Sequence, residues 1–353
     1  MPVAYRTLSV PIILTIETTC DETAAAVIDG SLNVLGSTVA SQEKLHQKFG
    51  GVVPEIASRA HLENLLPVID ETFHKAGIAP ADLDAVAVAN MPGLAGSLLV
   101  GLAAAKTLAQ VLRKPLIAVN HLQAHIYACK VAFKENLFPC LGLIVSGGHT
   151  SLYRCRTPID FMFLGGTIDD AAGEAFDKAA AMLALPYPGG PSIQKVAETG
   201  NPKAYRFPRP LLNEPERMEF SFSGLKTAVR CVLEKDKSLA ASAAARADVA
   251  ASFQEAAADC LVAKTLQALK LTAMKTLCVG GGVGANRRFR KKLTEAARQA
   301  DIRLYIAPIE LCTDNAVMGA IAAERYNAGL FEDLSLDIHA GLLRETRNGK
   351  CLS

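Results

Sequence analysis

A chain of 353 residues, 50% hydrophobic and 20% charged, carries enough apolar material for an extended core and enough length for two compact domains. Its 37 basic and 35 acidic side chains leave a formal charge of +2, which excludes a uniformly basic binder of nucleic acid, so any RNA contact has to come from a local patch. No apolar run reaches the roughly 18 residues of a spanning helix, the start lacks a secretory pattern, and the nine cysteines form no C-x-x-C pair. The expectation is a soluble, cytoplasmic protein with free thiols and no membrane contact.

In chain order, Ile12 to Glu17 and Ala24 to Ile28 read as two strands of a hairpin around the polar turn Thr18-Thr19-Cys20-Asp21-Glu22. Pro54 to Lys75 repeats apolar residues at helical spacing (Ile56, Leu62, Leu65, Leu66, Ile69, Phe73) and stops at Gly77. Asp84 to Asn90 is a strand, and Pro92-Gly93-Leu94-Ala95-Gly96-Ser97 leads from it into an alanine- and leucine-rich helix ending near Arg113. Pro115 to Val119 and a helix from His121 to Phe133 repeat that order. Leu141 to Val145 and Ser151 to Cys155 then flank the glycine-rich tip Ser146-Gly147-Gly148-His149-Thr150 of a second hairpin.

Beyond Asp169 the pattern turns helical, over Ala171 to Leu185, Ser223 to Glu234 and Ala244 to Leu271, with proline-rich loops at Pro186 to Pro191 and Phe207 to Pro215. The strand Leu277 to Val279 meets Gly280-Gly281-Gly282. A helix from about Asn286, a strand at Leu304 to Ala307 and a last helix from Thr313 to Asn327 complete the reading. The recurrence of a hairpin near 12–28 and 141–155 suits a duplicated α/β architecture with a ligand cleft, although a single doubly wound domain alternates in the same way.

His121 and His125, four apart on a helix, share one face and can bind a single metal ion. The glutamate of H-E-x-x-H is missing, since positions 122 and 123 are Leu and Gln, which disfavours a zinc peptidase. Asp314, in Thr313-Asp314-Asn315, is a candidate third ligand projecting from the first turn of a helix capped by Thr313, or else a simple complement to the helix dipole. The glycine turns at 146–148 and 280–284 allow close backbone approach to phosphate oxygens but match neither a Rossmann fingerprint nor a P-loop. Asp169 and Asp170 read as caps of the helix they precede, while Asp177 lies two turns inside it. Arg287, Arg288, Arg290, Lys291 and Lys292 crowd one segment, either an RNA grip or a solvated helix face.

Taken together, these motifs resemble the universal tRNA N6-threonylcarbamoyladenosine transferase family, once labelled glycoprotein endopeptidases, and most resemble its bacterial members. The resemblance spans nearly the whole chain. It rests on Glu17-Thr18-Thr19-Cys20-Asp21-Glu22-Thr23, Gly50-Gly51-Val52-Val53-Pro54-Glu55, Pro92-Gly93-Leu94, His121-x-x-x-His125, Val145-Ser146-Gly147-Gly148-His149-Thr150, Asp169 to Lys178, Tyr187-Pro188-Gly189-Gly190-Pro191, Phe220-Ser221-Phe222-Ser223-Gly224-Leu225-Lys226, Gly281-Gly282-Val283-x-Ala285-Asn286-Arg287 and Cys312-Thr313-Asp314-Asn315. The chain departs from the common pattern at Gln123, Met91, Gly165-Gly166-Thr167 and Gly284.

The resemblance implies an α/β, actin- and Hsp70-like fold of two RNase H-like lobes with a cleft between them. Residues 1–120 would form the first lobe and 121–353 the second, with a helical insertion at about 169–271 and the last helix packing back on the first lobe. It implies a divalent metal, Fe2+ or alternatively Zn2+, on His121, His125 and Asp314, and an adenylate held by Ile144, Val145, Ser146, Gly147, Gly148, Asp177, Gly190 and Asn286. The reaction implied is transfer of threonylcarbamoyl from threonylcarbamoyl-AMP to N6 of adenosine 37 in tRNAs reading codons that begin with adenine. Such a donor is already activated and needs no strong protein nucleophile; Asp21, Glu22 or a water remain open as the base. Implied partners are tRNA, a catalytically degenerate paralogue and a small ATPase. The rivals are a kinase-like phosphotransferase of the same superfold and a non-catalytic ATP-binding scaffold of a tRNA-modifying complex.

Overall fold

In the computed structural model, which describes residues 10–236, 239, 242–341, 344–345 and 351–352, the chain builds two five-stranded mixed sheets. The first half runs β1 (Ile12–Glu17), β2 (Glu22–Asp29), β3 (Val34–Ser41), the short α1 (Glu43–His46), α2 (Pro54–Ala76), β4 (Ala85–Met91), α3 (Ala95–Leu112), β5 (Leu116–Asn120) and α4 (His121–Phe133). The second half runs β6 (Cys140–Val145), β7 (Thr150–Thr157), β8 (Asp160–Gly166), α5 (Ala172–Met182), α6 (Gly189–Ala197), α7 (Ser223–Lys235), α8 (Ala243–Thr272), β9 (Thr276–Gly280), α9 (Arg287–Gln299), β10 (Arg303–Ile306), α10 (Ile309–Cys312) and α11 (Ile321–Asn327).

The sheet orders are β3-β2-β1-β4-β5 and β8-β7-β6-β9-β10, the same topology twice. In each, an antiparallel hairpin (Ile13↔Ile28 in one, Leu143↔Leu152 in the other) extends into parallel strands through a helical crossover. This duplication answers the ambiguity that alternation of strand, turn and helix leaves open. Strands β1, β4 and β6 are buried almost end to end, as strands covered on both faces must be.

Local chemistry explains the element ends. Pro54 starts α2 at a position where its missing N–H is harmless, and Gly77 ends it with φ +66°, in the left-handed region. Gly36 on β3 lets α2 lie close, since a Cβ there would sit 2.5 Å from the Thr72 carbonyl oxygen. Asn120 caps α4 by accepting from the backbone N–H groups of Leu122 and Gln123. By length and composition α3 is apolar enough to cross a membrane, yet its Ser97, Leu98, Gly101, Leu102, Ala105 and Ala109 stripe is buried and several of these side chains join the first sheet's core.

Five of these elements escape sequence patterning: β3 and β8 are edge strands with little alternation, α1 and α10 are four residues each, and α6 begins inside the proline-rich stretch at 186–191, just after a cis Tyr187-Pro188 bond. The end of the chain also differs from expectation. Thr313 is extended (ψ 164°) and closes α10 without capping the last helix; Asn315 is the cap that follows, accepting from Met318 N–H, and a 3-10 turn at Ala316–Ala320 precedes α11. Asp314 therefore stands outside the helix, ahead of its cap, because the buried turn must fit Gly319 against Thr15 of β1, 3.0 Å from where a Cβ would be. This turn and α11 pack back on β1, β2 and β5. Asn315→Ala should lower stability by about 1 kcal/mol through loss of the cap, seen as an earlier urea midpoint, whereas Thr313→Ala should leave that midpoint unchanged.

Candidate metal centre and active site

The carboxyl ends of β1, β5, β6 and β9 converge, the place where α/β sheets present ligand sites. Because the Asn120 cap starts α4 at residue 121, His121 and His125 occupy consecutive turns of one buried face, their ring centroids 4.6 Å apart. Asp314 arrives from the loop after α10. One Asp314 oxygen lies 3.1 Å from His125 Nε2 and 3.5 Å from His121 Nε2. Among the described residues these three ligand atoms, all within 4.8 Å of one another, form the group able to hold a metal ion. Two imidazole nitrogens and one carboxylate oxygen suit Fe2+ or Zn2+ and leave coordination positions open for a substrate.

Glu17, at the buried end of β1, was silent in the spacing of the sequence yet completes this centre. Its Oε2 accepts from His121 Nδ1 at 3.0 Å, and its Oε1 accepts from Thr19 N–H at 2.8 Å. With Nδ1 donating to Glu17, Nε2 of His121 points at Asp314, where loss of its own proton opens a lone pair to a metal. Burial opposes a charge on His121, but the carboxylates of Glu17 and Asp314 and the hydrogen bond to Glu17 push its pKa up to about 9. Burial likewise opposes ionisation of Asp314, and His121 and His125 outweigh it, holding this carboxyl well below its ordinary range. Glu17, His121, Asp314 and His125 thus form a chain of alternating charge in which a divalent cation would take the place of a proton.

Around it stand the other residues singled out from sequence. Ile144 and Val145 are buried in β6, so what they offer a ligand is the strand end that carries the turn at 146–148. Gly147 and Gly148 are exposed, and the start of α5 is pinned to this turn by Gly173 N–H to Ser146 O and Glu174 N–H to Gly147 O. Gly281 packs on the same turn, where a Cβ would lie 2.5 Å from the Val145 oxygen, and its φ of +94° also demands glycine. Asp177 is half-buried and accepts from Gly189 N–H at 2.7 Å, while Gly190 faces open space. The Asn286 side chain caps α9 through Phe289 N–H and donates one amide hydrogen to Gln254, while its backbone N–H and carbonyl are bonded to Val283 and Arg290, so the second amide hydrogen is what it keeps for a ligand.

His149, a second residue that sequence spacing passed over, lies close enough to feel His121 and His125; burial first, then their charge, pushes its pKa down to about 4, so it is neutral. Glu22 is raised by burial to about 7, with one oxygen accepting from Ser41 and the other buried without a partner among the described residues. Burial also raises Asp21, and Asp314 adds to it.

One expectation needs correction. Asp169 does not cap the helix that follows it: its carboxylate accepts from Phe222 and Ser223 N–H and from the hydroxyls of Ser221 and Ser223, gripping the start of α7, while Asp170 pairs with Lys178 and Lys226. In the basic segment, Arg287 pairs with Glu198, Arg288 with Glu255, and Lys292 with Glu255 and Asp259, so three of its five cations are neutralised within the protein.

The duplicated sheets, with a histidine and carboxylate cluster where their strands end, define a protein of the actin- and Hsp70-like fold class. HypF from T. kodakarensis superposes with a TM-score of 0.62 at 17% identity, covering 93% of this chain and 50% of that one, a likeness of fold alone. The family description tRNA N6-adenosine threonylcarbamoyltransferase (TsaD) matches residues 33–321. Proteins of that name from Rhodopirellula baltica and Moorella thermoacetica are 55% and 50% identical, over 94% and 92% of this chain and 97% and 95% of theirs. The chain belongs to the tRNA N6-adenosine threonylcarbamoyltransferase family, and is a transferase; the phosphotransferase and scaffold readings are not favoured.

Metal binding to the apoprotein at pH 7.5 should release about one proton, the one on His121, and affinity should rise with pH until about 9. Calorimetry in two buffers of different ionisation enthalpy measures this. Glu17→Gln should weaken the metal about 10- to 100-fold.

Proposed function

We propose that the chain transfers the threonylcarbamoyl group from threonylcarbamoyl-AMP to N6 of adenosine 37 in tRNAs reading codons that begin with adenine, releasing AMP. The convergence of His121, His125 and Asp314 within 4.8 Å, on a chain of this family, carries the reading. Iron(II) is the metal we assign, with zinc as the alternative that the same donors accept. When bound, it supplies a Lewis acid that orients the donor and polarises an oxygen.

The chain's own groups position and stabilise. Gly147 and Gly148 expose backbone N–H groups that make no hydrogen bond to the described residues, and these steady the carbamoyl and phosphate oxygens as charge develops. The second oxygen of Asp177 serves a ribose hydroxyl beside the open space at Gly190, and the Gly281–Asn286 turn backs the nucleotide. N6 attacks the carbamoyl carbon, the bond from that carbon to the phosphate oxygen breaks, AMP departs and N6 gives up a proton. Glu22 takes it: its unpartnered buried oxygen and its pKa near 7 suit a base, and Asp21 is the neighbouring alternative.

The functional unit is two lobes, residues 1–120 and 121–353, the second with its helical insertion at about 169–271; strands from 12–120 and 140–306 fall in separate sheets, which supports this division. A degenerate paralogue docks on the paired α2 and α3. Gly96 lets these helices touch at Ser58, and one and two turns beyond that crossing Leu62 and Leu66 stand 67% and 70% exposed, with Leu99 at 50% on α3. A small ATPase completes the assembly, and the site of action is the cytoplasm, where free thiols such as the eight described cysteines persist.

Single-turnover transfer from threonylcarbamoyl-AMP to unmodified tRNA, with accessory proteins supplied, tests the reading. Native protein should give modified adenosine, and His121→Ala and Asp314→Ala should each lose at least about 100-fold in rate, within the range of a lost catalytic interaction. Equal product from all three removes the centre from the mechanism. The native rate should fall as pH drops below about 7, and Glu22→Gln should be slow and lack that inflection; an unchanged inflection would move the base elsewhere.

A further inference from the structure

Arg290 stands apart from the other cations of α9. Arg287, Arg288 and Lys292 meet carboxylates, whereas the half-buried guanidinium of Arg290 turns inward and makes no ion pair with a described residue. Its Nε donates to Gly284 O at 2.6 Å, and its Nη2 donates to Ala307 O at 2.6 Å and reaches Cys312 Sγ at 3.5 Å. Gly284 belongs to the turn that follows β9 and packs on the tip of β6; Ala307 and Cys312 bracket α10, and Cys312 precedes Asp314 by two residues. Among the described residues no other hydrogen bond joins the turn at 281–286 to the segment 308–314. A guanidinium holds its donors in a fixed planar fork, which sets the relative direction of the two carbonyls it spans more strictly than a rotatable ammonium does, and hydrogen bonds from a charged donor are stronger than neutral ones.

We propose that Arg290 is a positioning residue that links the two halves of the site, so that ordering the metal ligand Asp314 and ordering the nucleotide turn favour one another. The inference rests on the reading of the 281–286 turn as part of the adenylate site. A shared tie of this kind makes the coupling reciprocal: metal tightens nucleotide binding and nucleotide tightens metal binding by the same factor.

The test uses AMP as the nucleotide probe and Co2+ as the metal probe, since the visible absorption of Co2+ reports its ligands. The dissociation constant of AMP is measured on the full chain without metal and with saturating Co2+. In the native protein it should tighten by about tenfold, within the usual range of coupling between sites. In Arg290→Met that factor should drop below about threefold, while Arg288→Met, which removes an outer ion pair of the same helix, should keep the native value. Arg290→Lys retains the charge but not the fixed planar fork and should give an intermediate factor; it carries the test if the Met variant does not fold. A native factor in both Arg290 variants overturns the proposal, as does AMP binding in the native protein that ignores the metal. Failure of native protein to bind AMP at all is a different result, which removes the adenylate reading itself and this inference with it.

Discussion

The cap that Asn120 places on α4 is the constraint on which the site depends. A helix that begins one residue later or earlier would rotate its side chains by about 100°, and His121 and His125 would no longer face Asp314 together. The cap works because β5 ends at Asn120 and delivers its side chain to the N–H groups of Leu122 and Gln123. Nine of the 13 residues of α4 are buried, since the helix packs against strands of both sheets. It is therefore held from two sides, and with it the direction of both imidazoles.

From that helix outward the design is one of close backbone approach. Gly280 admits the His125 carbonyl, where a Cβ would be 2.2 Å from its oxygen, and Gly281 admits the Val145 carbonyl. Side chains would push these strands and turns apart, so the small residues bring the metal ligands, the β6 tip and the turn after β9 into one volume. Charge then does what packing cannot. Glu17 and Asp314 flank His121 and favour its charged form against the pull of burial, an arrangement tolerable only because each carboxylate has a partner.

Much of this was legible in the sequence. Strong periodicity and clear stops placed β1, α2, α4 and the end of α3 to within a residue or two, with Pro54 and Gly77 marking the limits of α2, whereas α3 starts at Ala95, inside the stretch that reads as a turn. The weakly patterned edges β3 and β8 and the helix α6 within a proline-rich stretch were not legible, because their existence rests on neighbours in space. Arg290 was indistinguishable from Arg287, Arg288 and Lys292 in a run of basic residues, although its hydrogen bonds are wholly different.

The sequence by itself determined the pair of histidines, the glycine turns and, through its ordered motifs, the family. These features are carried by residue type and short spacing, which folding does not alter. Only the tertiary structure decided that Asp314 stands ahead of the last helix and not within it, that Asp169 grips α7, that Glu17 orients His121, and that most of the basic cluster is neutralised. Each of those is a meeting of segments tens to hundreds of residues apart, such as Glu17 with His121 and His125 with Asp314, and one-dimensional spacing holds no information about which distant partner a buried charge will find.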